Sequence, residues 1–566
     1  MQDNYKVASK LTLNLGLRYE VNLPRTERYN RMNWLDPTAV NPLNGGKISF
    51  TDPITGQNVT QPLLGAEVFA SGKDRYTYEV DYSDIQPRFG LAYQLPHSTV
   101  FRGGYGIYYS TPRSGASGTG PWGFQGYDEQ TGWTPSFQGA GVLPGAPLSN
   151  PFGPSGPLLP PGNSLGALND VGFAAAGPIK SVSHVTPYEQ AWSAGFEKEL
   201  PGKIVAEADY VGKKGTHLYF GGFREKDILP ASLIEPLIAS GNTAAIQNLA
   251  TNQVPNPFFG IITNQLSGLS GTTVPEYYLE QPFLEYTNFD GDSPPIANSI
   301  YHAAQFRLEK EFSNGLQFLV TYVFSKSIDD SSTTDDSVSW LGGGLNLNTL
   351  PVQDPHNLKP ERSVSTFDIP QVFQVSYVYA LPFGRGKQFG SDMNKVLNAF
   401  VGGWQTNGII RIDDGRPIIP AIGTANPTIP TYGQRPNLTG KLTRSSSSLE
   451  SMIQIPGSSQ APASYFSDPN ALSLPAAYTL GSSPRTIASA REPGNRSNSL
   501  SIFKQFSLNS LREGTRIEYR LEAFNALNHP HFNDVNAAVG SPTFGQITST
   551  VSGNQRQVQM ALKFYW

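Results

Sequence analysis

Apolar residues recur at every second position in segment after segment of this chain, which is the spacing of a β-strand with one apolar and one polar face. Leu11, Leu13, Leu15, Leu17 and Tyr19 alternate with Thr12, Asn14, Gly16, Arg18 and Glu20. Phe89 to Leu95 and Phe101 to Tyr109 repeat the pattern on either side of Pro96-His97-Ser98, so they predict a hairpin. Trp192 to Phe196 and Ile204 to Tyr210 flank Pro201-Gly202, and Ala304 to Leu308 and Leu316 to Phe324 flank Ser313-Asn314-Gly315. Phe373 to Leu381 and Trp404 to Ile412 follow, joined by a longer connection that starts Pro382-Phe383-Gly384-Arg385-Gly386-Lys387. Leu500 to Phe506, a turn through Arg512-Glu513-Gly514, Arg516 to Phe524 and a terminal strand Arg556 to Trp566 close the series. That is about twelve strands of the length that a tilted membrane strand needs.

The connections are sorted by length. Short turns alternate with long excursions at about 21–84, 110–187, 212–299, 325–372 and 413–498. Outer-membrane barrels keep short turns on the periplasmic side and long loops outside, and with a periplasmic C-terminus every connection takes its turn in that order. A flat sheet of this size would also leave two hydrophobic edges open to aggregation, which closure into a barrel removes. The fold expected is therefore all-β: an antiparallel transmembrane outer-membrane β-barrel.

The opposite faces carry the charge. Arg516, Glu518, Arg520 and Glu522 alternate with Ile517, Tyr519 and Leu521, and Arg307 and Glu309 alternate with Phe306 and Leu308. An Arg or Lys on the lipid side costs about 2–4 kcal/mol at the midplane, so the charged set is expected to face a polar lumen. At the terminus, Val558, Met560, Leu562, Phe564 and Trp566 share one face and the chain stops on an aromatic. A final aromatic-ended strand is what barrel-assembly machinery is thought to recognise, which makes Phe564 and Trp566 the expected assembly signal.

Composition narrows the class further. A chain of 566 residues is too long for one compact soluble core, and only 15% of its residues are charged, so much of its surface faces something other than water. Mean hydropathy is −0.31 and no run approaches the roughly 18 apolar residues of a membrane helix, which excludes a helical membrane protein. The net charge of −4 gives no footprint for nucleic acid. With no cysteine, disulfides, thiolate metal sites and cysteine nucleophiles are excluded.

Candidate chemistry is sparse. Asp329, Asp330, Asp335 and Asp336 offer oxygens, but their spacing matches no EF-hand loop, and a solvated loop is the expected setting. His529, His531 and Asp534 sit among Asn528 and Pro530, which read as a strand-ending turn in preference to a metal site. Glu197, Glu199, Glu207 and Asp209 place carboxylates on one side of a hairpin, where a glycosidase pair or merely a lumen lining would fit. Gly212-Lys213-Lys214-Gly215 lacks P-loop spacing, and no nucleophile elbow is present. No catalytic residue, metal or cofactor is expected. Trp122, Phe124, Tyr127, Trp133 and Phe137, in the excursion from Ser110 to Pro187, either stack on a ligand or pack the loop.

Several stretches resemble the Oar-like branch of TonB-dependent receptors. They are Gln2 to Glu20 (QDNYKVASKLTLNLGLRYE), Tyr188 to Leu218 (YEQAWSAGFEKELPGKIVAEADYVGKKGTHL), Phe306 to Asp330 (FRLEKEFSNGLQFLVTYVFSKSIDD), Phe367 to Lys387 (FDIPQVFQVSYVYALPFGRGK), Gly403 to Pro417 (GWQTNGIIRIDDGRP), Tyr519 to Phe532 (YRLEAFNALNHPHF) and Arg556 to Trp566. In this order they span nearly the whole chain. The resemblance implies a barrel of about 22 strands preceded by a signal peptide, a regulatory-like domain and a plug. MQDNYKVASK has no apolar signal region, so the chain is expected to be the C-terminal part of such a receptor, with those parts and the first strands upstream. The implied partners are outer-membrane lipid, the barrel-assembly machinery, an extracellular ligand, and the TonB system acting through the plug. No TonB box is visible, so energised uptake rests on the resemblance alone. An adhesin or secretion channel on the same barrel, and a soluble multi-domain β protein, remain as alternatives.

Overall fold

The computed structural model describes the chain except residues 1, 111–125, 128–135, 138–142, 145–148, 153–155, 158, 181–184, 221–226, 292–293, 333–351, 454–460 and 509–511. Thirteen strands pair in sequence order into one antiparallel sheet: β1 (Gln2–Ala8), β2 (Leu11–Tyr19), β3 (Ile85–Leu95), β4 (Thr99–Tyr109), β5 (Tyr188–Leu200), β6 (Ile204–Leu218), β7 (Ala297–Ser313), β8 (Leu316–Asp329), β9 (Gln371–Ala380), β10 (Trp404–Asp413), β11 (Asn495–Ser507), β12 (Arg516–Phe524) and β13 (Gln557–Tyr565). A two-residue strand, Ser363–Val364, adds to β8 off this path.

The sequence count of twelve missed β1. Its apolar positions are broken by Asp3 and Lys6, so alternation alone is weak there, yet its backbone pairs along β2. Among the described residues β1 and β13 are the two ends of the path and do not pair with each other, so the sheet is open and the expected closure is not formed by these strands.

Local chemistry sets the turns. Asn314 (φ 52°) and Gly315 (φ 80°) both take the left-handed region, which a two-residue hairpin demands and which Asn and Gly tolerate best. The connection from β9 to β10 adds what alternation did not foresee, a helix α3 (Lys395–Val401) whose N-cap Asn394 accepts from Leu397 N.

The larger surprise is the location of the core. On the sheet, Phe306 is 48% and Leu562 72% exposed, and their face carries large apolar side chains on most strands. The largest fully buried side chains lie in the long connections. Ile418, Leu442, Tyr465, Phe466 and Ile487 from the β10–β11 connection pack with Val535 and Ile547 from the β12–β13 connection. Ile48 and Leu63 from the β2–β3 connection pack with Phe258, Leu269 and Leu279 from the β6–β7 connection, and Leu35, Ile179, Tyr286 and Phe289 extend that contact. Two helices, α1 (Ala231–Ser240) and α2 (Thr243–Thr251), dock Ile234 and Ile246 against Ile429 and Tyr432. What the sequence presented as excursions is a folded cap with its own core, built by chain segments that are far apart in sequence.

Candidate functional site: the polar sheet face and the cap

Strand registry decides which residues share a face, because directly opposed residues lie on the same side. Arg102 opposes Gly195 and Glu197 opposes Glu207; Glu207 opposes Arg307 and Glu309 opposes Leu319. Farther along, Ser376 opposes Ile409, Ser499 opposes Phe524, Gln505 opposes Glu518 and Glu522 opposes Gln559. The charged residues singled out from the sequence, Arg307, Glu309, Arg516, Glu518, Arg520 and Glu522, therefore fall on one continuous face. Most of the large apolar residues, Phe306, Tyr322, Phe324 and Leu562 among them, fall on the other.

Ion pairs run across this polar face. Arg102 meets Glu197 at 2.7 Å, Lys213 meets Glu189 at 3.0 Å and Arg307 meets Glu207 at 2.8 Å while also pairing with Glu309. Arg520 pairs with Glu518, which also accepts from Gln505 at 2.8 Å, and Arg516 lies over the Tyr565 ring at 4.1 Å. Glu189, Glu197 and Glu207 of the β5–β6 hairpin are thus engaged as partners of arginine and lysine. Exposed pairs of this kind contribute about 0–1 kcal/mol each, so their effect is to make the face hydrophilic more than to hold it together. A depression of about 520 Å³ lies on this side between Glu309 and Glu522, with Ile409 and Phe524 in its wall.

The cap is stapled by buried ion pairs that the sequence did not signal. Asp329, expected in a solvated loop, is 2% exposed and pairs with Arg485. Arg485 also donates to Ser332 Oγ at 2.7 Å, Glu361 O at 3.0 Å and Asp329 O at 3.1 Å. Arg435 meets Glu361 at 2.6 Å, and Arg491 meets Asp368 at 2.7 Å. Asp330 binds Arg362 at 3.2 Å and accepts from Asn298 N at 3.0 Å. Three arginines of the β10–β11 connection thereby clamp acids at the end of β8 and along the β8–β9 connection. For Asp329 and Asp330 the expectation of a solvated loop fails because each carboxylate meets a guanidinium, which offsets part of the cost of leaving water. Asp335 and Asp336 lie outside the described residues. The available signal was a scatter of lone arginines in a Ser- and Pro-rich stretch.

Other carboxyls in the cap have no ion-pair partner among the described residues. Burial pushes Glu285 up to about 8 against a nearby Asp227, and burial followed by the Asp81 charge pushes Asp84 up to about 6. Glu67 and Asp170 share a hydrogen bond, and burial raises both, so the pair holds a proton at neutral pH. A second cavity, about 600 Å³, opens where the tops of β10 and β11 meet the cap, between Asp413, Arg444, Glu492 and His529. Burial, and then the Asp534 charge, holds the Glu492 carboxyl well above its usual range.

Of the expected loop aromatics, Tyr127 stands edge-on to Phe69 at 6.3 Å with Arg31 5.9 Å from its ring, which is packing within the cap. Trp122, Phe124 and Trp133 lie outside the described residues, as does the side chain of Phe137, whose backbone pairs with Leu143. His529, His531 and Asp534 are not drawn together: His531 Nε2 lies 3.3 Å from Arg496 O, and Asp534 binds Arg416 at 2.8 Å. Phe564 and Trp566 stack at 6.0 Å on the apolar face.

A long meander of strands, apolar outward and ionic inward, with its core confined to the connections at one end, defines the wall of a membrane β-barrel. The chain matches the outer membrane beta barrel domain family over residues 1–559 and belongs to that family. Its place is the outer membrane. No curated protein matches the sequence. Among solved structures, the pyoverdine outer-membrane receptor FpvA of Pseudomonas aeruginosa is similar at 8% identity and a TM-score of 0.38, covering 100% of this chain and 41% of that one. The outer-membrane transporter YddB of Escherichia coli gives 9%, 0.40, 100% and 53%. The siderophore receptor PiuA of Acinetobacter baumannii gives 8%, 0.33, 100% and 42%. The chain therefore spans about half or less of the length of each, and none of these likenesses bears on what it binds.

Proposed function

We propose that this chain is the C-terminal barrel wall and extracellular cap of a TonB-dependent receptor of the Oar-like branch, in which upstream strands complete the barrel and a plug fills it. The observation that carries this reading is the segregation of the cap. Among the described residues the large buried apolar side chains lie in the connections at one end of the strands, and the other end carries short turns and α3. In this reading Arg307, Glu309, Arg516, Glu518, Arg520 and Glu522 line the lumen against the plug. The cap, with its cavity beside Glu492 and the loop aromatics Trp122, Phe124, Trp133 and Phe137, contacts an extracellular ligand. Phe564 and Trp566 present the assembly signal. The proposed role is binding and uptake without catalysis.

The absence of cysteine makes orientation directly testable. Leu266→Cys, on an 83% exposed cap residue, should react with a membrane-impermeant maleimide on intact cells, and His97→Cys, in a short turn, only after permeabilisation. The reverse pattern would overturn the topology. Coupling is tested by photo-cross-linking the complete receptor to TonB in cells. With orientation established, no cross-link would favour the adhesin or secretion channel.

A further inference from the structure

The apolar face of the sheet carries a cationic and aromatic row at its cap-side margin that no part of the chain covers among the described residues. On that face Gly212 of β6 opposes His302 of β7, which opposes Lys326 of β8; one step toward the cap, Lys214 opposes Ile300. Trp192, from β5, lays its ring across Gly212, where a Cβ would sit 2.2 Å from it, and stands edge-on to His302 at 6.2 Å. Tyr210 stacks on His302 at 6.0 Å, and its hydroxyl is 2.7 Å from Nδ1. Lys214, His302 and Lys326 are exposed. Asp330, one residue past the end of β8, is already bound to Arg362 and Asn298.

The position of the row matters. At the turn end of the same face stand Lys198 and Lys310, and Lys310 Nζ donates back to Gly202 O at 2.7 Å. Eight residues separate Lys310 from His302, which is about 26 Å along the strand and about 20 Å across a membrane for a strand tilted by ~40°. Between them lie Phe306, Tyr322, Phe324 and Phe196. The apolar band of such barrels is ~25 Å tall, so the two cationic rows mark its two margins, and the Lys214–Lys326 row sits at headgroup level under the cap. The α-carbons of Lys214 and Lys326 are roughly 12 Å apart, two strands and two residues, a span that two lysine stems are long enough to bridge toward a ligand on the ring platform between them.

We infer that Lys214, His302 and Lys326, with the Trp192–Tyr210 platform, bind the phosphorylated saccharide headgroup of an outer-leaflet glycolipid. Two ammoniums without carboxylate partners supply point charges for phosphate, and flat rings supply a surface for a sugar face. The inference goes beyond ligand uptake and needs only that the cap face outward.

The test is native mass spectrometry of the complete detergent-purified protein. It is titrated with a hexa-acylated, diphosphorylated glucosamine disaccharide, with its phosphatase-treated form, and with phosphatidylglycerol. The diphosphorylated glycolipid should be retained at least about tenfold better than either competitor. Lys214→Gln with Lys326→Gln should reduce it to the dephosphorylated level, since each cation at a membrane surface contributes about fivefold and the two together more than the tenfold discrimination. Lys198→Gln with Lys310→Gln removes the same charge at the other margin and should leave retention unchanged. Heat-modifiable mobility on gels reports folding; if the double variant fails it, Lys326→Gln alone should still lower retention several-fold. Equal retention by the Lys214/Lys326 variant, or phosphatidylglycerol held as well as the glycolipid, would overturn the assignment.

Discussion

Arg485→Met is the sharpest probe of the cap. In the native protein the guanidinium binds Asp329, Ser332 and the Glu361 carbonyl, with distances of 2.7–3.1 Å for the neutral acceptors, and both side chains of the ion pair are almost completely buried. Removing the cation leaves the Asp329 carboxylate with the Ser332 hydroxyl, 2.9 Å from each oxygen, as the contact given for its side chain. An uncompensated buried charge of this kind costs about 3–5 kcal/mol. The loss should be local, because Arg485 joins the β10–β11 connection to the top of β8 and its contact with the sheet is at Asp329, the last residue of that strand. Hydrogen exchange followed by mass spectrometry on the complete protein should show amides around 484–491 and 363–368 opening faster by roughly two to three and a half powers of ten. Strand amides near 316–324 should not change. Asp329→Leu combined with Arg485→Met should recover most of the protection, since replacing both partners by apolar groups is often near neutral. A change under about threefold in the single variant, or a double variant as labile as the single, would refute the view that this pair clamps the cap.

Three further outcomes are expected. Phe306→Arg, midway along the apolar face, should lower folding stability in lipid vesicles by about 2–4 kcal/mol, whereas Arg307→Ala, one residue on and facing the other way, should cost under about 1 kcal/mol; similar costs would contradict the assignment of faces. Glu285 has a folded-state pKa near 8 against a usual 4.5, so it keeps its proton in the folded cap while the unfolded chain releases it. Stability from this group is therefore complete below about pH 4.5 and falls as pH rises toward 8, by at most about 5 kcal/mol. Protease resistance of the cap should accordingly drop between pH 5 and 9, and Glu285→Gln should flatten that profile. Asn242→Ala removes the oxygen that accepts from Ala245 N at 3.2 Å and should destabilise α2 by about 1 kcal/mol, read as faster exchange confined to Thr243–Thr251.

The strands were legible because lipid on one side and water on the other force a period of two on every membrane-crossing segment. Phe306, Leu308 and Arg307, Glu309 could be sorted into faces before any registry was known. Even so, β1 escaped because Asp3 and Lys6 interrupt it, and its place is fixed by pairing with β2, which is a long-range fact. The cap was illegible for the opposite reason. Its buried residues, such as Ile48, Phe258, Ile418 and Val535, come singly from connections that are hundreds of residues apart, so no local window carries a period. Glycine- and proline-rich composition then reads as loop, and it conceals a core held by tertiary contact. Asp329 shows the consequence for chemistry: an acid pair next to a serine run reads as solvated until Arg485, 156 residues away, is brought to it.

This division of the core has a consequence for how the chain is stabilised. In a soluble sheet one face would pack on a second layer, and strand stability would come from that burial. Here the described sheet has no second layer on its apolar face, which must draw its stabilisation from lipid, while its polar face holds exposed ion pairs worth little individually. The cap by contrast buries aromatic and aliphatic side chains in water-excluded clusters, and its Arg435–Glu361 and Arg485–Asp329 pairs are dry. Wall and cap thus answer to different solvents. Detergent or lipid composition should govern the first, and pH and the arginine clamps the second. Because each cap cluster combines segments from two or three connections, it can form only after the strands bearing those connections are in place. The order implied is membrane insertion first and cap consolidation second. The same order explains why the cap can hold protonated acids such as Glu285 with neither oxygen hydrogen-bonded. The strands beneath fix the geometry, so the cap can tolerate a local cost that an independent domain of that size would struggle to absorb.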